Sequence, residues 1–194
     1  MKLQQGAQNV SGLTERFERI HLLGRGGMGE VWLVRDHVTG ETVSLKQIAP
    51  QQVRTPIGQR LRREFLHLQQ LRHPSILHVR DFGISSAGEA WFTSEVLRGP
   101  SSTDLSGNVS LQRWWELSSG FLRALSFMHR NDWIHGDIKP DNVRLRSPET
   151  NGPLDPVLLD LGLSRREHFP AEEKILGTPH TMAPEQWLGR GGLV

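Results

Sequence analysis

The sequence predicts an α+β fold in two lobes, a complete β-rich first lobe and the beginning of a helical second one. Three observations predict it. Apolar and β-branched runs punctuated by glycine crowd residues 16–49. A single helical pattern at 57–72 separates them from two further strand-like runs. A long amphipathic stretch at 111–129 then follows a Ser- and Gly-rich segment, residues 99–108, that reads as a linker.

Each element has its own signal. Residues 1–13 are polar and Gln-rich and read as a flexible lead-in. Strand-like runs cover 16–23, 30–35 and 42–48. In the helical pattern, Leu61, Phe65, Leu68 and Leu71 fall at spacings of four, three and three, and His73-Pro74 stops it. Strands are expected again at 77–82 and 90–96. The long helix carries Leu111, Trp114, Trp115, Leu117, Phe121, Leu122, Leu125 and Met128 as its apolar residues. Short strands and loops come after it. The domain boundaries read 1–13 for the lead-in, 14–98 for the first lobe and 99–194 for the partial second lobe.

Composition narrows the function. The formal charge of +2 is too small to argue for a nucleic-acid partner, and the six Trp residues are not interleaved with basic runs. The nine His residues are scattered, without metal-ligand spacing. With no Cys there is neither a disulfide framework nor a thiolate metal site, which fits a reducing compartment. Tyr is absent too, so the chain cannot phosphorylate itself on tyrosine. No stretch approaches the ~20 apolar residues of a membrane span, and no signal-peptide core is present, so a cytoplasmic location is expected.

Chemistry-bearing residues occur in five motifs in fixed order: Gly24-Arg25-Gly26-Gly27-Met28-Gly29-Glu30-Val31, Val43-Ser44-Leu45-Lys46, His135-Gly136-Asp137-Ile138-Lys139-Pro140-Asp141-Asn142, Asp160-Leu161-Gly162 and Ala183-Pro184-Glu185. The first would let backbone N–H groups approach phosphates. Its spacing also matches a dinucleotide fingerprint, but that motif must open a helix, and here the strand-like Val31-Trp32-Leu33-Val34 follows. A flap between two strands is the reading. Asp81-Phe82-Gly83 precedes the Asp137 loop and sits between strand runs, so it reads as the end of the fourth strand.

Order and spacing match the parts needed to move the γ-phosphoryl group of ATP. On these motifs the chain resembles the eukaryotic-like serine/threonine protein kinases, and Gly-Arg-Gly-Gly-Met-Gly-Glu-Val-Trp looks most like their bacterial members. The resemblance covers about residues 14–190. It implies ATP and Mg²⁺ as cofactors and protein Ser/Thr hydroxyls as substrates. By resemblance, Lys46 contacts the α- and β-phosphates and pairs with a helix glutamate, for which Glu64 is the candidate. Asp137 accepts or orients the substrate proton, Lys139 neutralises transferring charge, and Asn142 and Asp160 hold Mg²⁺. Thr178 hydrogen-bonds near Asp137 and Lys139 and goes with Ser/Thr specificity. Leu23, Gly24, Gly26, Gly29, Val31 and Ser44 surround the nucleotide, Ser94 is the gatekeeper with a roomy pocket behind it, and Glu95 to Leu97 form the hinge. An internal column runs through Leu68, Val79, His135 and Leu161.

Several positions depart from the family. Gly136 replaces an arginine that binds an activation-loop phosphate in many kinases, which predicts activity independent of such phosphorylation. Residues 165–176 contain no Thr or Ser, and Glu172 and Glu173 read as solvated charges rather than acidic stand-ins. Arg144 falls where a hydrophobic adenine floor is usual; either Leu145 takes that role or ATP binds more weakly. His-Gly-Asp also resembles aminoglycoside and choline phosphotransferases of the same fold, although the rest of the loop and residues 178–185 favour protein kinases. A pseudokinase scaffold is the non-catalytic rival. The family continues with several helices past Ala-Pro-Glu that cover the 111–129 helix and give Glu185 a basic partner. The sequence as written is therefore expected to behave as a truncated domain, poorly stable and inactive by itself.

Overall fold

The computed structural model describes residues 13–26, 29–105, 110–148, 152–166 and 177–187. The polar lead-in through residue 12, Gly27 and Met28 of the glycine-rich run, and the Glu172-Glu173 pair lie outside the described residues. The chain divides into two compact units, Met1–Gln69 with His78–Val96 and Gln70–Leu77 with Leu97–Val194.

In the first unit a one-turn helix α1, Leu13–Arg16, leads into strands β1 (Phe17–Gly26), β2 (Gly29–Asp36) and β3 (Thr42–Ile48). A short helix α2, Pro50–Val53, precedes α3, Pro56–Gln70, and strands β4 (Val79–Ile84) and β5 (Ala90–Ser94) complete the unit. The sheet runs β1-β2-β3-β5-β4, every pair antiparallel. Alternation along β3 sorts its side chains. Val43 and Leu45 enter a cluster with Leu13, Phe17, Val34 and Trp91. Lys46 belongs to the opposite set, and there α3 buries Leu61, Glu64, Phe65 and Leu68. Successive members fall three, one and three residues apart, the spacing of a single helix face. Phe65 meets the rings of Phe82 and Phe92 at 5.3 and 6.1 Å.

Sequence alone places Leu13 in the lead-in; it is instead buried in that cluster. The reason is Arg16, three residues on. Its Nε and Nη2 donate to the two carboxylate oxygens of Asp36 at 3.1 and 2.9 Å. Its Nη1 lies 2.7 Å from Asp81 Oδ2. The guanidinium also sits 4.8 and 5.2 Å from the ring centres of Phe17 and Trp91. Such a fork fixes α1 on the sheet by geometry as well as charge. Burial alone would make Arg16 easier to deprotonate, but the bonds from Asp36 and Asp81 outweigh it and raise its pKa. Asp81-Phe82-Gly83 lies inside β4, one residue short of its end.

The second unit holds α4 (Leu111–Arg130), β6 (Trp133–Ile134), β7 (Val143–Leu145), β8 (Pro156–Leu158), β9 (Arg165–Arg166) and α5 (Pro184–Trp187). Ser110 caps α4 by accepting from Arg113 N at 3.3 Å. The buried stripe of α4 is Gly120, Ala124 and Met128; of the large residues that mark its amphipathic pattern, only Met128 belongs to it. Small side chains let this helix close on Pro156 of β8. Leu111, Trp114, Trp115 and Leu122 are exposed. β7 pairs with β8 and β6 with β9, both antiparallel. The segment expected as a linker is partly docked. Gly99 N donates to Leu145 O, Leu145 N to Pro100 O, and residues 102–105 form a 3-10 turn. Among the described residues no helix is long and apolar enough to cross a membrane.

Candidate active site

The glycine-rich run forms the end of the β1–β2 hairpin, with Arg25 opposite Glu30 and Gly26 opposite Gly29. Gly29 has φ +104, and a Cβ there would come within 2.1 Å of Gln47 O, so the fold itself requires glycine. Gly24 and Gly26 face no such crowding, since a Cβ on either would meet nothing within 4 Å. No packing contact explains glycine at those two positions. Leu23 is exposed, Val31 half-buried and Ser44 buried.

Lys46 lies opposite Val31 on β2 and Phe92 on β5. Its Nζ reaches Glu64 Oε2 at 2.6 Å and Oε1 at 2.8 Å. Glu64 is 2% exposed. The sequence-predicted pair is thus a buried, two-oxygen ion pair. Glu95 is tied to the start of β4, donating N–H to His78 O and accepting His78 N at its Oε1. Ser94 is buried at the end of β5, and Leu97 is half-buried at the start of the second unit's main segment. Of the expected internal column, Leu68 and Val79 are buried in the first unit, His135 and Leu161 in the second.

In the second unit the loop between β6 and β7 is built around His135, which is 1% exposed. Asp137 N donates to its Nδ1 at 3.2 Å, so Nδ1 carries no proton. Its Nε2 therefore holds the hydrogen and donates to Leu159 O at 3.1 Å. Burial, the dominant cause, pushes the imidazole below its usual range, in agreement with a neutral ring. Gly136 follows at φ +83, where a Cβ would lie 2.7 Å from Leu163 O. The arginine missing from this position could not be accommodated without moving Leu163.

Asp137, Lys139 and Thr178 close a three-membered network. Lys139 Nζ donates to Asp137 Oδ2 and to Thr178 Oγ1, both at 2.8 Å. Thr178 N donates to Asp137 Oδ1 at 2.9 Å. Burial favours protonation of Asp137, but the bonds from Lys139 and Thr178 outweigh it and hold the carboxyl below its usual range. Asn142 Nδ2 donates to Asp137 O at 2.8 Å, which turns Asn142 Oδ1 the other way. Asp160 follows β8 in the left-handed region, φ +52. One of its oxygens accepts from Gly162 N at 3.1 Å. Asn142 Oδ1 and the second Asp160 oxygen are hard oxygen donors of the kind Mg²⁺ takes, and among the described residues neither accepts a hydrogen bond.

Sequence reasoning missed two supports of this loop. Ser102 Oγ donates to Pro140 O at 2.7 Å, from within the segment taken for a linker. Gln186 Nε2 donates to Gly136 O at 2.9 Å. A Gln three residues into a helix start is a recognisable cap signal, but Ala183 in place of Ser or Thr hides it.

The chain matches the protein kinase domain family over residues 17–191. It is 32% identical, over 92% of its length, to a DNA damage-responsive serine/threonine-protein kinase of Deinococcus radiodurans, and covers 27% of that protein. It is 33% identical, over 92% of its length, to serine/threonine-protein kinase C of a Synechocystis strain, covering 36% of it. Serine/threonine-protein kinase PknB of Mycobacterium leprae is 32% identical over 91% of this chain, which covers 29% of that protein. The chain thus spans about a third or less of the length of these relatives.

Proposed function

The chain belongs to the protein kinase domain family, and from that premise we propose that it transfers the γ-phosphoryl group of ATP to Ser or Thr hydroxyls of proteins. The observation that carries this reading is the Asp137–Lys139–Thr178 network. In it a carboxylate held ionised stands beside an ammonium, both oriented by one threonine. The hydroxyl oxygen of the substrate attacks the γ-phosphorus, the bond to the β-phosphate oxygen breaks, and ADP leaves. Asp137 orients the hydroxyl and takes its proton. Lys139 offsets negative charge on the transferring group. Thr178 keeps both at fixed distance, so little reorganisation is needed at the moment of transfer.

Lys46, steadied by Glu64, is the residue for the α- and β-phosphates, and Gly24, Gly26 and Gly29 leave backbone N–H groups open to them. Leu23, Val31, Ser44, Glu95 and Leu97 are assigned to the nucleoside. Asn142 and Asp160 would hold Mg²⁺, which supplies positive charge against the phosphate oxygens when bound. In this reading residues 14–98 form the nucleotide-holding lobe and residues from 99 onward the transfer lobe, acting in the cytoplasm.

The test is phosphotransfer from labelled Mg-ATP to a panel of Ser/Thr peptides and aminoglycosides, with Asp160→Asn as the control. Label on Ser or Thr, abolished in Asp160→Asn, is the expected result. Label on aminoglycosides alone would replace the reading by a small-molecule phosphotransferase. Absence of Mg-ATP binding would replace it by a scaffold.

A further inference from the structure

Gln186 bridges two segments of the second unit with the two ends of one amide. Its Oε1 accepts from Ala183 N at 3.0 Å, and its Nε2 donates to Gly136 O at 2.9 Å. The chemistry fixes which end is which. A backbone N–H must meet the oxygen and a carbonyl must meet the nitrogen, so no flipped amide satisfies both. The Ala183 bond is the return half of a capping box at the start of α5. The Gly136 bond has no part in capping. It crosses 50 positions to the residue before Asp137.

Two further contacts fall at the same place. Gly177 lies beside the same carbonyl: a Cβ on it would meet Gly136 O at 3.5 Å, an ordinary van der Waals contact. Thr178, the next residue, donates its N–H to Asp137 Oδ1. The segment 177–186 is therefore held to the 136–139 loop at both its ends, by Thr178 at one and Gln186 at the other. At position 136 a left-handed glycine, rather than an arginine, supplies only a carbonyl to this junction.

We infer that Gln186 is a positioning residue that latches the 177–186 segment onto the Asp137 loop through a neutral amide bridge, keeping Thr178 on Asp137 without any phosphate. The kinetic part of the test rests on the phosphotransfer reading above; the exchange part does not.

Two variants of the full chain separate the latch from the cap. Gln186→Glu is nearly isosteric and still accepts from Ala183 N, but it sets a carboxylate against the Gly136 carbonyl. Gln186→Leu loses both bonds. The expected result is that each variant lowers kcat about tenfold, the scale of one hydrogen bond, with KM for ATP unchanged. Exchange of the Thr178 amide, followed by NMR, should quicken by a similar factor in both. If Gln186→Glu matches wild type in kcat and exchange while Gln186→Leu does not, Gln186 is a helix cap and the latch is refuted. Two silent variants refute it as well. Should Gln186→Leu fail to fold, Gln186→Glu decides alone. Should the wild-type chain transfer no phosphate, faster Thr178 exchange in Gln186→Glu still supports the latch while the kinase reading falls, and unchanged exchange refutes the latch.

Discussion

Replacing Glu64 by Leu removes the carboxylate whose two oxygens lie 2.6 and 2.8 Å from Lys46 Nζ. The side chains of Lys46 and Glu64 are 14% and 3% exposed, so the pair is largely out of water. Breaking a buried pair by removing one partner costs about 3–5 kcal/mol, because the remaining charge stays where water cannot reach it. The residual exposure of Lys46 places this case near the lower end, at about 3 kcal/mol. For a urea slope of about 2 kcal/mol per M, the unfolding midpoint should fall by about 1.5 M. Replacing both residues, Lys46→Met with Glu64→Leu, should return most of that loss. Isosteric apolar replacements of buried ion pairs are often neutral or better, and Met would sit over Phe92, where the ammonium now lies 5.7 Å from the ring centre. The assay is urea unfolding followed by tryptophan fluorescence, with Trp91 buried in the same unit. Phosphotransfer is measured on the same samples. The double variant should be stable and inactive. A Glu64→Leu midpoint within about 0.3 M of wild type would refute the buried pair. A double variant with wild-type turnover would refute the phosphate role given to Lys46.

Two other expectations concern pH. Asp36→Asn should destabilise the chain at pH 7 by about 3 kcal/mol, since it breaks the fork from Arg16. The bonds from Arg16 overcome burial and hold the Asp36 carboxyl below its ordinary 3.8. Its contribution is therefore complete above that value and fades as pH falls through the folded one, so the gap between wild type and variant should close only in acid. His135 behaves in the opposite chemical sense with the same direction in pH. The fold holds it neutral, its pKa below the ordinary 6.5. An unfolded chain takes up that proton as pH falls past 6.5, so wild type should lose up to about 1.4 kcal/mol per pH unit from there down to the folded pKa. His135→Phe should be less stable at pH 7.5 and should lack this share of the slope; an unchanged slope in urea midpoints between pH 7.5 and 5.5 would refute the neutral, buried ring.

The β-strands and α3 were legible because their signals are local. Alternation in β3 and the spacing of Leu61, Phe65 and Leu68 each report one buried face. Asp137, Lys139 and Asn142 could be picked out because they are close neighbours in one loop. Glu64 is the single glutamate of α3, but it could be paired with Lys46 only through the resemblance, since nothing in a sequence marks a lone helix glutamate as pointing inward. The stripe of α4 was only partly legible for a related reason. Hydrophobicity picked out Met128 but also Trp114, Trp115 and Leu122, which are exposed, whereas the close approach to Pro156 of β8 is made at Gly120, which carries almost no hydrophobic signal. The Arg16–Asp36–Asp81 cluster was invisible because its members are polar and scattered over three segments of the first unit. Gln186 was hidden by a cap residue, Ala183, that has no side-chain oxygen.

The left-handed glycine at 136 also bears on which residues this turn can accept. Any other residue there meets unfavourable backbone geometry, worth about 1–2 kcal/mol, and drives its Cβ to 2.7 Å from Leu163 O. Arginine at this position therefore costs stability unless the backbone gives way. It needs a compensating shift around Leu163. Replacing arginine with glycine is easy by comparison, because glycine is tolerated in either backbone conformation. The turn thus holds glycine at 136 on grounds of stability alone, whatever the site does.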